Sequence, residues 1–331
     1  MTKILVLGGA GYVGSQFCRA ASEAGFDVRV FDDFSTGHEW AVVNYEVVRG
    51  DILDAEKLSC AMQDVDAVCH FAAKSCVEES VKDPMTYMRT NVDGTRSVLS
   101  AMSKAGIQNL VFSSTAAVYG DPDESVSQLT EAMECSPVNP YGQSKLASEA
   151  LIEGWCAEQS SSATCFRYFN AAGASPEWGL GEAHEPETHL IPNILRCLIN
   201  KSGKPFELFG DDYPTPDGTC VRDYVHVNDI ADAHLRGLMY QSTGNSGFVA
   251  CNLGSGSGYS IYQVIRACED VSGLRLDKVV KRRRLGDPVR LVASNSKASK
   301  SFGWKPTNSD LRNIVSTAYQ WHLSYESSKK S

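Results

Sequence analysis

No apolar run in this chain of 331 residues approaches the roughly 20 residues that a membrane-spanning helix needs. Positive charge is scarce as well. The chain has 31 Lys and Arg against 40 Asp and Glu, a net charge of -9, which argues against broad, nonspecific nucleic-acid binding. The basic run Lys281-Arg282-Arg283-Arg284 is short and isolated. It reads either as a solvated strand end or as the place where one arginine binds a phosphate. The 11 cysteines contain no CxxC pair and are odd in number. A disulfide framework is therefore not expected, and the thiols read as reduced small hydrophobes in a cytoplasmic protein. The seven histidines show no metal-ligand spacing, so no metal is expected. No internal repeat or low-complexity tract is visible. Met1-Thr2-Lys3 runs directly into Ile4 to Leu7, a stretch too short for a signal peptide.

What is present is ordinary globular composition, with 43% hydrophobic and 21% charged residues, in a chain long enough for two domains. A strand is predicted at Lys3 to Leu7. Gly8-Gly9-Ala10-Gly11-Tyr12-Val13-Gly14 follows, then a helix-like run to Ala24 that Gly25 stops. Gly8, Gly11 and Gly14 form a GxxGxxG loop between strand and helix. The first glycine allows a tight turn, the second lets backbone approach a pyrophosphate, and the third lets helix and strand pack closely. A second strand, Asp27 to Phe31, ends in Asp32-Asp33, where an acid would bond the adenosine ribose hydroxyls and repel a 2′-phosphate. The cofactor expected is NAD rather than NADP.

Further strands are predicted at Glu46 to Val48, Ala67 to Phe71, Leu110 to Ser113 and Ala163 to Phe169. They alternate with helices, among them a long one from about Pro84 to Ala105 that contains Asn91. That alternation predicts an α/β fold with a doubly wound parallel (Rossmann) sheet. Asp51, at the end of the third strand, reads as an adenine contact or as a helix N-cap. Small residues at His70-Phe71-Ala72-Ala73 would let a cofactor pass, and His70 itself reads as structural. Ser113-Ser114-Thr115 end the fifth strand, either facing a substrate or capping backbone. After Asn170, the stretch from Ala171 to Thr188 reads as linker and loop. A smaller C-terminal α/β lobe is predicted beyond it. It has helices near 191–200, 227–240, 260–271 and 311–323, strands at 206–209 and 278–280, and a long loop from Gly210 to Val221. The expected division is 1–175 and 176–331, with some later segments returning to the first domain.

The chemistry centres on Pro140-Tyr141-Gly142-Gln143-Ser144-Lys145. Pro140 suits a first helical turn, and Tyr141 and Lys145, four apart, share one helix face. A phenol, with a pKa of ~10, is a poor base until a neighbouring ammonium favours the phenolate. The pair can then serve as a general acid/base on a hydroxyl.

The glycine loop, Asp32, the Ser/Thr stretch before Val118-Tyr119-Gly120, and Tyr141-x-x-x-Lys145 occur in one order. Together they resemble the extended short-chain dehydrogenase/reductase family. Tyr-Phe-Asn-Ala-Ala-Gly (168–173), His-Leu-Ile-Pro (189–192), the segment 210–227, Asn-Leu-Gly-Ser-Gly (252–256) and Arg284-Leu285-Gly286-Asp287 are similar to its UDP-sugar 4-epimerases, over nearly the whole chain. The resemblance implies that Tyr141 is the acid/base on the sugar 4-hydroxyl. Lys145 would hold the nicotinamide ribose and lower the phenol pKa, and Thr115 would bond the same hydroxyl. It further implies that Gly8, Gly11, Tyr12, Val13, Gly14, Asp32, Asp33, Asp51, Ile52, Phe71, Ala72, Ala73, Asn91, Ser113 and Phe169 line the NAD site. Asn170, Leu190, Phe209, Arg222, Tyr224, Arg284 and Asp287 would hold the UDP part.

The implied reaction is reversible C4 inversion of a UDP-hexose, glucose to galactose, through a transient 4-keto sugar with NAD tightly bound. A homodimer through the helices near 84–105 and 140–158 is implied as well. Two positions depart from the family pattern. Ser75 stands where many members carry a lysine, with Lys74 one residue early, and His189 replaces an asparagine. Leu291 falls at the position that gates N-acetylated sugars, so the UDP-GlcNAc/UDP-GalNAc and UDP-xylose/UDP-arabinose pairs are alternatives. A nucleotide-sugar 4,6-dehydratase needs a carboxylate pair directly after the active-site Ser/Thr, where this chain has Ala116-Ala117. A catalytically inactive NAD-binding regulator is at odds with intact Tyr141, Lys145 and Thr115.

Overall fold

The computed structural model describes residues 2–200, 204–284 and 287–328. The first half alternates strand and helix: β1 (Lys3–Leu7), α1 (Tyr12–Glu23), β2 (Asp27–Asp32), β3 (Glu46–Arg49), α2 (Ala55–Ala61) and β4 (Ala67–His70). Next come α3 (Val77–Lys82), α4 (Pro84–Tyr87), α5 (Gly94–Ala105), β5 (Asn109–Thr115), α6 (Pro140–Gln159) and β6 (Ser162–Tyr168). The second half holds β7 (Asn170–Ala172), α7 (Leu190–Asn200), β8 (Phe206–Phe209), β9 (Val221–His226), α8 (Val227–Ser242) and β10 (Gly247–Leu253). It closes with β11 (Gly258–Ser260), α9 (Ile261–Ser272), β12 (Lys278–Lys281), β13 (Arg290–Leu291), α10 (Ser296–Phe302) and α11 (Leu311–Ser328).

The main sheet is parallel and seven-stranded, in the order β10-β6-β5-β4-β1-β2-β3. Its order reverses between β1 and β4, which opens a crevice beyond the carboxyl ends of the strands, where such sheets bind ligands. Strand pleating divides the core in two. Ile4 and Val6 point to one face and pack with Phe17 and Cys18 of α1, Ile230 and Ala233 of α8, and Phe302 of α10. Leu5 and Leu7 point to the other, with Leu58 of α2, Val98 and Met102 of α5, and Ile152 and Trp155 of α6. Deleting a fully buried ring such as that of Phe17 costs about 3–5 kcal/mol. Ile194, Leu195, Val264, Ile314 and Val315 centre a separate core between α7, α9 and α11. Two small sheets sit beside it, β11-β9-β13 with β7 paired to β9, and β12-β8.

Several expectations need correction. Gly247–Leu253 is a strand of the main sheet, paired with β6 along its full length. Its run of apolar and small residues has no alternation to announce it, because both faces are covered. Ala171 and Ala172 belong to β7 rather than to a linker, and Val221 to His226 form β9 where no strand was expected. β11, β13, α3 and α10 were also not anticipated; each is short. The helix expected from Pro84 to Ala105 is interrupted by a π-helical segment, Met88–Asp93. The Asn91 carbonyl there accepts the Thr95 hydroxyl at 2.6 Å and the Ser148 hydroxyl at 3.1 Å. Segments of this kind recur at functional sites.

Candidate active site

The glycine loop separates three physical demands. Gly8 has φ +77°, and a Cβ there would lie 2.5 Å from the Ala72 nitrogen. A Cβ on Gly14 would lie 2.1 Å from the Gly8 carbonyl oxygen. Gly11 differs, because its Cβ would meet nothing in the chain closer than 3.5 Å. The protein's own packing does not need glycine at that position, and the side stays open to a group approaching from outside. Gly11 is also the N-cap of α1 and has no side-chain cap, so the helix end is presented to a ligand. The loop therefore fits a dinucleotide pyrophosphate.

The rest of the cofactor lining fits as well. Asp32 is buried and accepts the Ala10 and Phe34 backbone N–H groups, each at 2.8 Å. Burial raises its carboxyl above the ordinary range, and these two donors oppose the rise. Each carboxylate oxygen keeps a lone pair for a ribose hydroxyl. The same contacts hold Phe34 at φ +61°, a strained left-handed residue at the strand end. Asp33 is exposed and accepts Ser35 N–H. The cap of α2 is Asp54, not Asp51; Asp51 is exposed, and its carboxylate accepts the Leu53 N–H at 2.9 Å. Ile52 is buried against the start of α5, where a Cβ on Gly94 would lie 2.4 Å from its Cδ1. At the end of β4, Ala72 donates to Leu7, Phe71 packs on Phe17 and His234, and Ala73 is half-buried. His70 is neutral, held at a pKa of about 3 by burial and then by Lys145.

Tyr12 and Val13, half-buried, open α1, and the Tyr12 hydroxyl donates to the Gly173 carbonyl at 2.6 Å. Asn91 is 2% exposed, and its amide is fully engaged. It accepts Lys74 N–H at 2.9 Å, and donates to the Lys74 carbonyl at 3.0 Å and to Ser144 at 2.9 Å. It thus ties the loop after β4 to α6.

Helix α6 is placed by Asn139, whose side chain caps it by accepting Gly142 N–H at 2.8 Å. A Cβ on Gly142 would lie 2.5 Å from the Ala117 carbonyl oxygen, so glycine lets the helix press against the turn after β5. That approach sets Tyr141 beside Thr115. Burial raises the Tyr141 phenol above its ordinary pKa, and the neighbouring Thr115 hydroxyl opposes the rise. Lys145 is 3% exposed, and its Nζ donates to the Ser113 carbonyl at 2.8 Å, over the Phe112 ring at 4.8 Å. Burial draws the ammonium down to about 8, against the pull of Cys165 and Glu149. The Cys165 thiol is itself pushed far up by burial and stays neutral, so Glu149 is the group that supports the charge.

The three hydroxyls of β5 divide by strand alternation. Ser113 bonds the Tyr168 phenol, Thr115 lies beside Tyr141 and accepts Ala117 N–H at 3.1 Å, and Ser114 points away to Glu149. Glu149 forms a buried ion pair with Arg167, which also donates to the Tyr119 hydroxyl at 3.1 Å. Neither Tyr168 nor this pair was singled out from the sequence. Glu149 follows Lys145 by one helical turn and was the available signal. Phe169 is buried beside Ala116 and Leu291.

Across the cleft, Asn170 donates to the Asp223 carbonyl at 3.0 Å from β7, opposite Tyr224 in register. Tyr224 is buried and its phenol is raised by that burial. Leu190 is the first residue of α7. Arg222 pairs with Asp287, and Arg284 stacks over the Phe209 ring at 4.2 Å and reaches Glu78 at 3.4 Å. The structure thus brings Phe209, Arg222, Arg284 and Asp287 to one wall. Leu285 and Gly286 lie outside the described residues. Asp223 explains the Asn-Leu-Gly-Ser-Gly motif, since its carboxylate accepts Ser255, Gly256 and Ala293 N–H groups.

Residues 4–254 match the NAD dependent epimerase/dehydratase family. A UDP-glucose 4-epimerase of Lactobacillus helveticus is 44% identical over 326 residues, 98% of each chain. The solved UDP-glucose 4-epimerase of Brucella ovis in complex with NAD is similar with a TM-score of 0.92 and 40% identity, over 96% of this chain and 98% of that one. That of Bifidobacterium longum in complex with NAD+ and UDP gives a TM-score of 0.92 at 32% identity, over 98% and 99%.

Proposed function

The chain belongs to the NAD dependent epimerase/dehydratase family, and from that premise we infer that it is an isomerase that inverts C4 of a UDP-hexose, UDP-glucose to UDP-galactose and back. The observation that carries the reading is the close meeting of α6 with the end of β5, where Gly142 presses on the Ala117 carbonyl and Lys145, one turn after Tyr141, donates to the Ser113 carbonyl beside Thr115. NAD, when bound, supplies a hydride acceptor and donor for C4. Tyr141 takes the 4-hydroxyl proton and later returns it, and Thr115 orients the same oxygen. Lys145 holds the nicotinamide ribose and contributes the positive charge that a buried phenolate requires. The 4-keto sugar turns over between the two transfers, so the grip belongs on UDP rather than on the hexose. Arg222 and Arg284 suit the diphosphate and Asp287 a ribose diol, exchanging the ion pairs they form with each other and with Glu78. Tyr12, Val13, Asp32, Asp33, Asp51 and Phe71 line the NAD side.

Ala116-Ala117 after Thr115 leave no acid/base pair for water elimination, which disfavours a 4,6-dehydratase. Leu291, half-buried next to Ala116 and Phe169, sets the room beside the sugar. Its intermediate bulk keeps N-acetylhexosamines and pentoses as alternative substrates. A homodimer through the 84–105 and 140–158 helices is supported by Met85 and Met88, which are 75% and 37% exposed. Free, mostly buried cysteines suit a reducing cytoplasm. Among the described residues, no helix is long and apolar enough to cross a membrane.

The test is to assay the purified protein with NAD against UDP-glucose, UDP-GlcNAc and UDP-xylose side by side. Interconversion of UDP-glucose and UDP-galactose is expected to be fastest. Failure to interconvert any UDP-sugar epimer pair would remove the epimerase reading, and exclusive turnover of another pair would reassign the sugar.

A further inference from the structure

Glu182, His184, Glu187 and His189, in the loop before α7, converge so that one ligand atom from each lies within 4.8 Å of the others. The irregular spacing of the two histidines hides this in the sequence. Glu182 Oε1 is 3.1 Å from His184 Nδ1 and 2.7 Å from His189 Nδ1. Glu187 Oε1 is 2.9 Å from the same His189 nitrogen. The glutamate side chains are 5% and 1% exposed and the imidazoles 29% and 51%, so the carboxylates form the floor and the rings the rim.

Hydrogen bonds satisfy the cluster only in part, although Glu187 Oε1 also accepts the Thr188 and His189 backbone N–H groups, each at 2.8 Å. One Nδ1–H on His189 faces two carboxylate oxygens, while His184 directs its own Nδ1 at an oxygen already bonded. Glu187 Oε2 is buried with no hydrogen-bond partner, and nearby His322 Nδ1 is likewise buried and unpartnered. Such groups are costly when nothing compensates them. The nearest arginine, Arg196, is directed at Glu185 and at the His184 carbonyl instead. Two imidazole nitrogens with two carboxylates are a ligand set for a four-coordinate transition metal, whereas magnesium and calcium prefer all-oxygen sites.

We propose that Glu182, His184, Glu187 and His189 bind one divalent transition-metal ion, zinc by ligand type, which fastens the loop before α7 against the start of α1. The loop already reaches that region. The His184 ring lies edge-on to Tyr12 at 6.3 Å, and His38 Nε2 is 2.9 Å from the Ala183 carbonyl. The ion would therefore act on the loop beside the glycine turn, as a structural site.

The experiment uses the full chain, stripped with a chelator and then titrated with Zn2+ by calorimetry and with Co2+ by visible absorption. The expected result is one ion per chain, four-coordinate cobalt bands without a thiolate charge-transfer band, and a zinc-dependent rise in thermal midpoint. Glu187→Gln and His184→Ala should each weaken binding at least ~100-fold, more than a lost second-shell partner does. Both should keep wild-type circular dichroism. No stoichiometric ion, a thiolate band placing cobalt on cysteine, undiminished affinity in both variants, or an unmoved midpoint would each overturn the proposal.

Discussion

The two walls of the cleft are held in different ways. On the wall of the main sheet, placement comes from backbone and buried bonds: glycines at van der Waals contact, Asp32 on two N–H groups, Asn91 with its whole amide engaged, and Lys145 on the Ser113 carbonyl. On the opposite wall, Arg222 and Asp287 hold each other, and Arg284 reaches Glu78 from a half-exposed position. The first wall has little freedom to rearrange, and the second is built from pairs that a ligand can replace. A cofactor that stays bound and a substrate that exchanges require that difference. Hydride transfer needs geometry fixed to a fraction of an ångström, whereas diphosphate capture needs charge.

The contrast predicts separable kinetic and thermodynamic signatures. The largest belongs to the rigid wall. Tyr141→Phe should lower kcat by about 10³-fold, within the usual range for a general acid/base, while bound NAD stays constant; steady-state rates and NAD content after desalting check this. A parallel loss of NAD would mean that the phenol shapes the site rather than carrying protons. Next comes Glu149→Gln, which leaves Arg167 buried without its carboxylate. A loss of about 3–5 kcal/mol in denaturant-unfolding stability is expected, as for breaking a buried pair from one side.

Lys145 supplies a third signature, in pH. Its folded pKa of about 8 lies below its unfolded value, so the unfolded chain binds the extra proton between those limits. Its contribution is unfavourable at neutral pH and disappears as pH rises from about 8 to about 10.5. Stability should gain up to about 3 kcal/mol over that window, and Lys145→Met should flatten the gain. The smallest effect belongs to the exchangeable wall. Arg284→Ala should raise KM for the UDP-sugar about 5–10-fold with kcat nearly unchanged, and the effect should shrink with added salt. A fall in kcat instead would place Arg284 with the rigid wall and break the comparison.

Much of this was legible in the sequence because it is local. The glycine spacing, Asp32 at a strand end, and Tyr141 one turn before Lys145 are short-range patterns, and their order along the chain gives them their meaning. The resemblance supplied Arg222, Arg284 and Asp287, which only the fold gathers on one wall. What escaped depends on distant partners. β10 joins the main sheet through β6, far earlier in the chain, and its residues carry no period. Asp51 competed with Asp54 for the cap of α2, and only the backbone geometry decides between them. The backbone partner of Lys145, the Ser113 carbonyl, was not legible either, because spacing places the ammonium on a helix face and not against a strand. The Glu149–Arg167 pair and the 182–189 cluster were missed because spacing alone does not reveal buried charge.

The central claim is that C4 is oxidised and reduced within one closed site. UDP-glucose carrying deuterium at C4 tests it directly, with the product examined by mass spectrometry after many turnovers. The account predicts UDP-galactose that keeps the label in full at C4. Loss of the label to solvent, or its transfer to added free NAD, would contradict it.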